Sequence, residues 1–174
     1  KERLLILSQQ LAGMYTQSAV PVLNSTRAAA ANPAVKSFLL SAGKDSAGAV
    51  DQLLQKLKFD STWINVQLLN ANGQEAAASN LSDVYDSLEL SSIIPGYPTA
   101  ADTGVVSRMY IKGEAFYYAI CGAVTDKGKL IGYLLRWRKM YNSKENIERV
   151  SQLLGKQVVL YVGNADGSLW SDLR

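Results

Sequence analysis

The chain has 174 residues, 48% hydrophobic and 19% charged, with a net charge of +3; this suffices for one domain burying ~70% of its unfolded surface and is too apolar for disorder. There is no histidine and one cysteine, Cys121, which excludes Ser–His–Asp, Cys–His and His-ligated metal chemistry, a cysteine cage and an internal disulfide. The densest cationic run, Arg136-Trp137-Arg138-Lys139, is too sparse for a nucleic-acid footprint, and no apolar run nears the ~20 residues that span a bilayer.

Residues 2 to about 31 repeat apolar side chains at helical spacing: Leu4, Leu7, Leu11 and Met14, widened by Leu5, Tyr15, Val22 and Leu23. Pro21 lacks an amide for the ladder and is expected to kink this helix or split it. Asn32-Pro33 marks a break and the first turn of a short helix over Ala34–Ala42, with Gly43 as its stop. Asp45 or Ser46 is positioned to cap a third helix, whose apolar face is Ala47, Val50, Leu53, Leu54 and Leu57.

From Trp63 the period changes to two. Ile64, Val66 and Leu68 alternate with Asn65, Gln67 and Leu69, Asn70-Ala71-Asn72-Gly73 supplies a turn, and Gln74–Ser79 returns as a hairpin. Residues 80–103, holding Pro95, Gly96 and Pro98, read as an irregular cover with a short helix over Ser82–Leu90. A connection of this length inside a domain tends to be a lid or binding loop. Three strands follow between Gly104 and Met140, turning at Lys112-Gly113 and Asp126-Lys127-Gly128. A helix from Asn142 or Ser143 to about Leu154 comes next, with Gly155 after it. Gln157–Gly163 is a strand, Asn164-Ala165-Asp166-Gly167 a turn, and Ser168–Ser171 begins a return strand. The abrupt helical start and the stop just after a strand begins read as the ends of a fragment of something longer.

Tyr117-Tyr118-Ala119-Ile120-Cys121-Gly122-Ala123-Val124-Thr125-Asp126, then Gly128-Lys129-Leu130-Ile131-Gly132-Tyr133-Leu134, resembles the Cache family, the PAS-like extracellular sensor domains of bacterial receptors. That family often ends a strand in Pro-Ile-x-Asp before a glycine turn and an Ile-Gly-Val-Leu strand; Ala123 stands at its proline position. The likeness extends over roughly residues 1–140. Leu160-Tyr161-Val162-Gly163-Asn164-Ala165-Asp166-Gly167-Ser168-Leu169-Trp170 also looks like sensor sequence from membrane-bound histidine kinases. The resemblance implies an α+β fold: a central antiparallel sheet of about five strands, a long N-terminal helix and further helices packed on it. The domain then spans 1–174, with a helical part to 60, a sheet core over 61–140, and an extension over 141–174 that either belongs to it or starts a second unit.

The resemblance further implies a periplasmic or extracellular part of a bacterial inner-membrane protein, tethered by flanking segments. It would sense a small molecule for a histidine kinase foremost, or for a diguanylate cyclase or chemotaxis module. The expected ligand is an organic acid or amino acid-like metabolite bound between the sheet and the 80–103 cover. A homodimer through the first helix would carry the signal, and no cofactor, metal, enzymatic activity or nucleic-acid partner is expected.

Arg108 and Tyr110 share one face of a continuous strand, with Val105, Met109 and Ile111 on the other; a guanidinium there can grip a carboxylate and Tyr110 add a hydrogen bond. The alternative is a solvated Arg108. Tyr117 sits at the rim of an Ala119–Cys121–Ala123 row, which serves either as a pocket floor or as a seat for a close helix. Asp126 falls where the Cache motif has an acidic residue that can meet a ligand amine, and a plain turn wants it equally. Tyr97 and Trp63 are candidates to close over a ligand, although packing also explains Trp63. Arg136 and Arg138 flank Trp137 as either a cation–π cluster or charges protecting an edge strand, the latter preferred. Cys121 reads as inert core. The rival readings are a dimerisation or protein-interaction module with a vestigial pocket, and an enzyme using Asp, Lys or Tyr.

Overall fold

The computed structural model describes residues 2–58, 63–79, 104–112, 115–140, 152, 161–164, 166–167 and 170–172. Three helices, α1 (Glu2–Ala30), α2 (Pro33–Leu40) and α3 (Ala47–Leu57), precede the strands. Among the described residues the strands are β1 (Trp63–Asn70), β2 (Glu75–Ala78), β3 (Val105–Val106), β4 (Tyr110–Lys112), β5 (Ala115–Asp126), β6 (Lys129–Met140), β7 (Tyr161–Gly163) and β8 (Trp170–Asp172). The 80–103 cover, Tyr97 within it and the Asn142–Leu154 helix lie outside the described residues, except that Gln152 is helical.

The main sheet runs β2-β1-β6-β5-β3, antiparallel throughout, and β4 pairs with β5 beyond β3. Since β3 faces Ile120 and Cys121 while β4 faces Ala115–Tyr117, the two act as one interrupted edge strand. The platform is therefore the five-position α+β sheet expected from the sequence, with three helices on one face. β7 and β8 pair as a separate hairpin.

Local chemistry explains most boundaries. Asn32 Oδ1 accepts from the Ala34 amide (2.8 Å) and Pro33 occupies the first turn of α2, where a missing N–H is harmless. Gly43, at φ +86°, ends the same helix and donates its amide to the Phe38 carbonyl (2.8 Å). Lys127 (φ +48°) and Gly128 (φ +77°) form the two-residue turn between β5 and β6; positive φ at both central positions matches the strands' twist.

Two local expectations need correction. Of the kink or split expected at Pro21, the split does not occur: α1 runs unbroken to Ala30. Pro21 is exposed, so the carbonyl it leaves without a donor can be solvated rather than end the helix. Ser46 precedes α3 in a left-handed conformation (φ +63°) and its side chain makes no capping bond, because that backbone turns the hydroxyl away from the first amides.

The helix-side core joins Ala29, Ala30, Val35, Phe38, Val50 and Leu54 to Val66, Leu68, Val124 and Leu134 of the sheet. α1 approaches β5 closely at Gly122, where an added Cβ would stand 3.3 Å from both the Ala30 Cβ and the Thr26 Cγ2. The close helix seat is thus Gly122, and the small Ala119–Cys121 row belongs to the other face. That face gathers Leu69, Ala119, Cys121, Tyr133, Leu135 and Trp137, bordered by Ile64, Val105, Tyr110 and Leu130.

Candidate functional site

The face away from the helices is built from alternate residues of the two central hairpin strands. Tyr117, Ala119 and Cys121 of β5 stand opposite Lys139, Trp137 and Leu135 of β6. Ala119, Cys121 and Trp137 are wholly inaccessible to solvent. Larger rings pack around the small Ala–Cys row: Tyr110 from the edge strand, paired with Tyr117, then Tyr133 and Trp137. Trp137 Nε1 donates to Gln67 Oε1 (2.6 Å), and Gln67 Nε2 donates to Glu75 Oε2 (2.7 Å). The indole is therefore fixed by a polar chain reaching the outer strand β2.

Charge enters this face at its rim. The Lys139 ammonium lies over the Tyr117 ring, 5.8 Å from its centroid, a cation–π separation. Burial raises the Tyr110 hydroxyl above its usual pKa, partly offset by the Arg108 guanidinium. Tyr133 is raised by burial and, secondarily, by Cys121. Both phenols stay neutral near pH 7 and can donate as well as accept. Burial pushes the Cys121 thiol up to about 12, which removes the reactive thiolate and bears out its reading as inert core.

Arg108 does not stand on a continuous strand. Ser107–Met109 interrupt the edge, and Ser107 is stitched to β5 by its amide to the Ala119 carbonyl (2.8 Å) and by the Ala119 amide to Ser107 Oγ (2.8 Å). The interruption breaks the alternation, so Val105 and Tyr110, expected on opposite faces, pack on the same one. Arg108 is exposed and ion-paired with Asp166 of the β7–β8 turn. Asn164 of that turn accepts from the Met109 amide (2.9 Å) and donates to the Met109 carbonyl (3.1 Å), imitating a strand neighbour.

The remaining candidates are separated from this row. Trp63 is buried on the helix face. A bulge between Trp63 and Asn65 adds a residue to β1, which sets Trp63 opposite Arg138 and turns its ring to the helix side. Asp126 pairs with Lys129 at the hairpin tip, nine residues along β5 from Tyr117, or roughly 30 Å at the usual strand rise. The structure thus brings Tyr110 and Tyr117 together, with Arg108 beside them, and leaves Trp63 and Asp126 elsewhere.

Arg136 and Arg138 also depart from expectation. β6 is a central strand, so neither protects an edge. Their cation–π partner is Trp63, at 4.4 and 5.4 Å from the ring centroid. Sequence reasoning missed Lys139, Tyr133 and the Trp137–Gln67 bond as neighbours of the Tyr117 row. The long β5–β6 hairpin was the available signal, because its register sets which side chains meet.

No model of a known protein family matches this sequence, and no curated protein does. The structure is similar to the ligand-binding domain of PctB, an amino acid chemoreceptor of Pseudomonas aeruginosa PAO1, solved in complex with L-Arg. The TM-score is 0.50 at 15% identity, over 89% of this chain and 60% of that one. This chain therefore spans about three fifths of that solved domain, and the likeness is one of fold. The Cache-type fold implied by the sequence is the fold the molecule has. Among the described residues no helix is long and apolar enough to cross a membrane, and no group of three or more Cys, Asp or Glu side chains is placed to hold a metal ion.

Proposed function

We propose that this is a ligand-sensing domain of a bacterial membrane receptor, held outside the cytoplasm by segments flanking it. The reading rests on one observation above the fold: the short Ala119–Cys121 floor, walled by Tyr110, Tyr117, Tyr133 and Trp137 and bearing the Lys139 cation at its rim. Apolar walls with a few polar groups at the margin describe a small-molecule site. Lys139 supplies a charge for a carboxylate, and the neutral phenols of Tyr110 and Tyr133 supply hydrogen bonds. The ligand class is an amino acid or a related organic acid. Arg108 joins the site only by exchanging its Asp166 partner for a ligand carboxylate.

Occupancy acts on the receptor through a difference in affinity between two conformations. A homodimer along α1 and a histidine kinase as output complete the reading, with a chemotaxis or cyclase module as the other outputs of the same sensor. Calorimetry with each of the twenty L-amino acids and a panel of short organic acids tests it. Saturable heat with at least one compound, weakened by Lys139→Met, is expected. Absence of binding by the whole panel would favour a dimerisation module without a ligand.

A further inference from the structure

The buried guanidinium of Arg136 lies on the helix face of β6, between Leu135 and Trp137, whose side chains take the opposite face. Adjacent residues of one strand thus meet the proposed ligand face and α1, respectively. Arg136 Nη1 donates to Ser25 Oγ (2.7 Å) and Thr26 Oγ1 (3.4 Å), and Nη2 donates to the Leu57 carbonyl at the end of α3 (2.8 Å). Its plane covers Trp63. The last carbonyls of a helix carry partial negative charge, which suits a cation there. A planar, multiply donating guanidinium can hold two helices and a ring at once; an ammonium cannot.

The part of α1 it holds is unusual. Ser25 Oγ and Thr26 Oγ1 both donate to the Val22 carbonyl, at 2.9 and 2.8 Å, and Pro21 immediately precedes Val22 inside the helix. Proline removes one ladder bond and crowds the preceding turn. Back-bonded Ser and Thr hydroxyls draw a carbonyl off the ladder and bend helices. Two helix-loosening devices therefore fall within a single turn, where Arg136 makes its contact. On the C-terminal side Thr26, Ala29 and Ala30 are buried, while on the N-terminal side Ile6 and Val20 are exposed.

We propose that the Pro21–Thr26 turn is a hinge in α1 and that Arg136 is the positioning residue that delivers movements of β6 to it. The sheet-side arm, from Thr26 onward, is clamped to the sheet, and the arm before Pro21 swings. The link to ligand rests on the sensor reading above; the hinge and its clamp do not.

Spin labels at Gln9→Cys and Lys129→Cys, both exposed, measure the distance between the free arm and the hairpin tip; Cys121 is buried and takes no label. In the otherwise unchanged domain one narrow distance distribution is expected. Arg136→Met, which keeps volume but loses every donor, should broaden it, Arg136→Lys should broaden it less, and Pro21→Ala added to Arg136→Met should narrow it again. If Arg136→Met does not fold, Ser25→Ala with Thr26→Val removes the same contact from the helix side and should broaden it equally. With the tightest-binding L-amino acid present, the distance should shift in the unchanged domain and stay fixed in Arg136→Met at unaltered affinity. An unchanged distribution in a folded Arg136→Met or Ser25→Ala/Thr26→Val protein would overturn the proposal. Failure of every amino acid to bind would count against the sensor reading and leave the ligand-free comparison to decide the hinge.

Discussion

The two faces of the main sheet solve different problems with neighbouring residues of the same strands. On the helix face a cation is buried completely, and hydroxyls, a helix end and an indole are fitted around it. On the other face the strand centres carry Ala119 and Cys121, the larger groups stand around them, and the cation Lys139 stays at the rim. A buried charge surrounded by fixed partners resists change, since breaking one contact strands the rest. A short floor with neutral phenols around it suits an exchangeable occupant. The contrast teaches that α1 is held to one face by charged and hydroxyl contacts, whereas the opposite face is packed from small side chains and rings with its cation kept outside.

Substitutions can break or sharpen this contrast. The largest effects are expected on the helix face, first at Gly132, where any Cβ would collide with the Leu69 carbonyl and with Leu39 Cδ1. Gly132→Val should lose about 3 kcal/mol of unfolding free energy in urea titration, and a loss near zero would mean that the β1–β6 ladder is looser than described. Truncating Leu134, wholly buried in the helix-side core, should cost about 3 kcal/mol by the same measure. Ala119→Leu on the opposite face, at a position wholly inaccessible to solvent, should cost about 2 kcal/mol by overpacking and abolish amino acid binding in calorimetry; unaltered binding in the folded variant would put the ligand elsewhere.

Smaller effects separate packing from recognition. Tyr133→Phe keeps the ring and should weaken binding about fivefold in calorimetry, as for one lost hydrogen bond of ~1 kcal/mol. The Cys121 thiol offers a pH test. Burial raises its folded pKa to about 12 from the usual 9.0, so the unfolded chain ionises first and binds fewer protons than the folded one between those values. The contribution is fully present below pH 9 and is lost as pH rises toward 12. Melting curves should therefore fall more steeply with alkaline pH for the natural chain than for Cys121→Ala, and identical slopes would place the thiol in contact with water.

Much of this arrangement was legible in the sequence because local chemistry decides it. Asn32-Pro33 starts α2, Gly43 ends it, and Asp126-Lys127-Gly128 turns the central hairpin. The parts that were not legible depend on single-residue irregularities. Counted back from the Asp126–Lys129 pair, an unbroken ladder sets Tyr117 opposite Arg138; a bulge at Val124/Thr125 moves the partner to Lys139. A second bulge sends Trp63 to the helix side, and the break at Ser107–Met109 brings Val105 and Tyr110 to one face. Each reverses the inside–outside parity beyond it, which no count of alternating residues detects. The ion pair of Arg108 with Asp166 joins residues 58 apart in the chain, and the burial of Arg136 follows from the position of β6 within the sheet rather than from its own neighbours in sequence.

The indole N–H signals give the most direct test, because the two tryptophans of the main sheet lie on opposite faces. Trp137 is hydrogen-bonded to Gln67 beside the Ala119–Cys121 floor, and Trp63 lies under Arg136. Titrating the 15N-labelled domain with its tightest-binding L-amino acid should move the Trp137 resonance strongly and the Trp63 resonance far less. A titration that moves Trp63 and leaves Trp137 in place would put the ligand on the helix side and contradict the account.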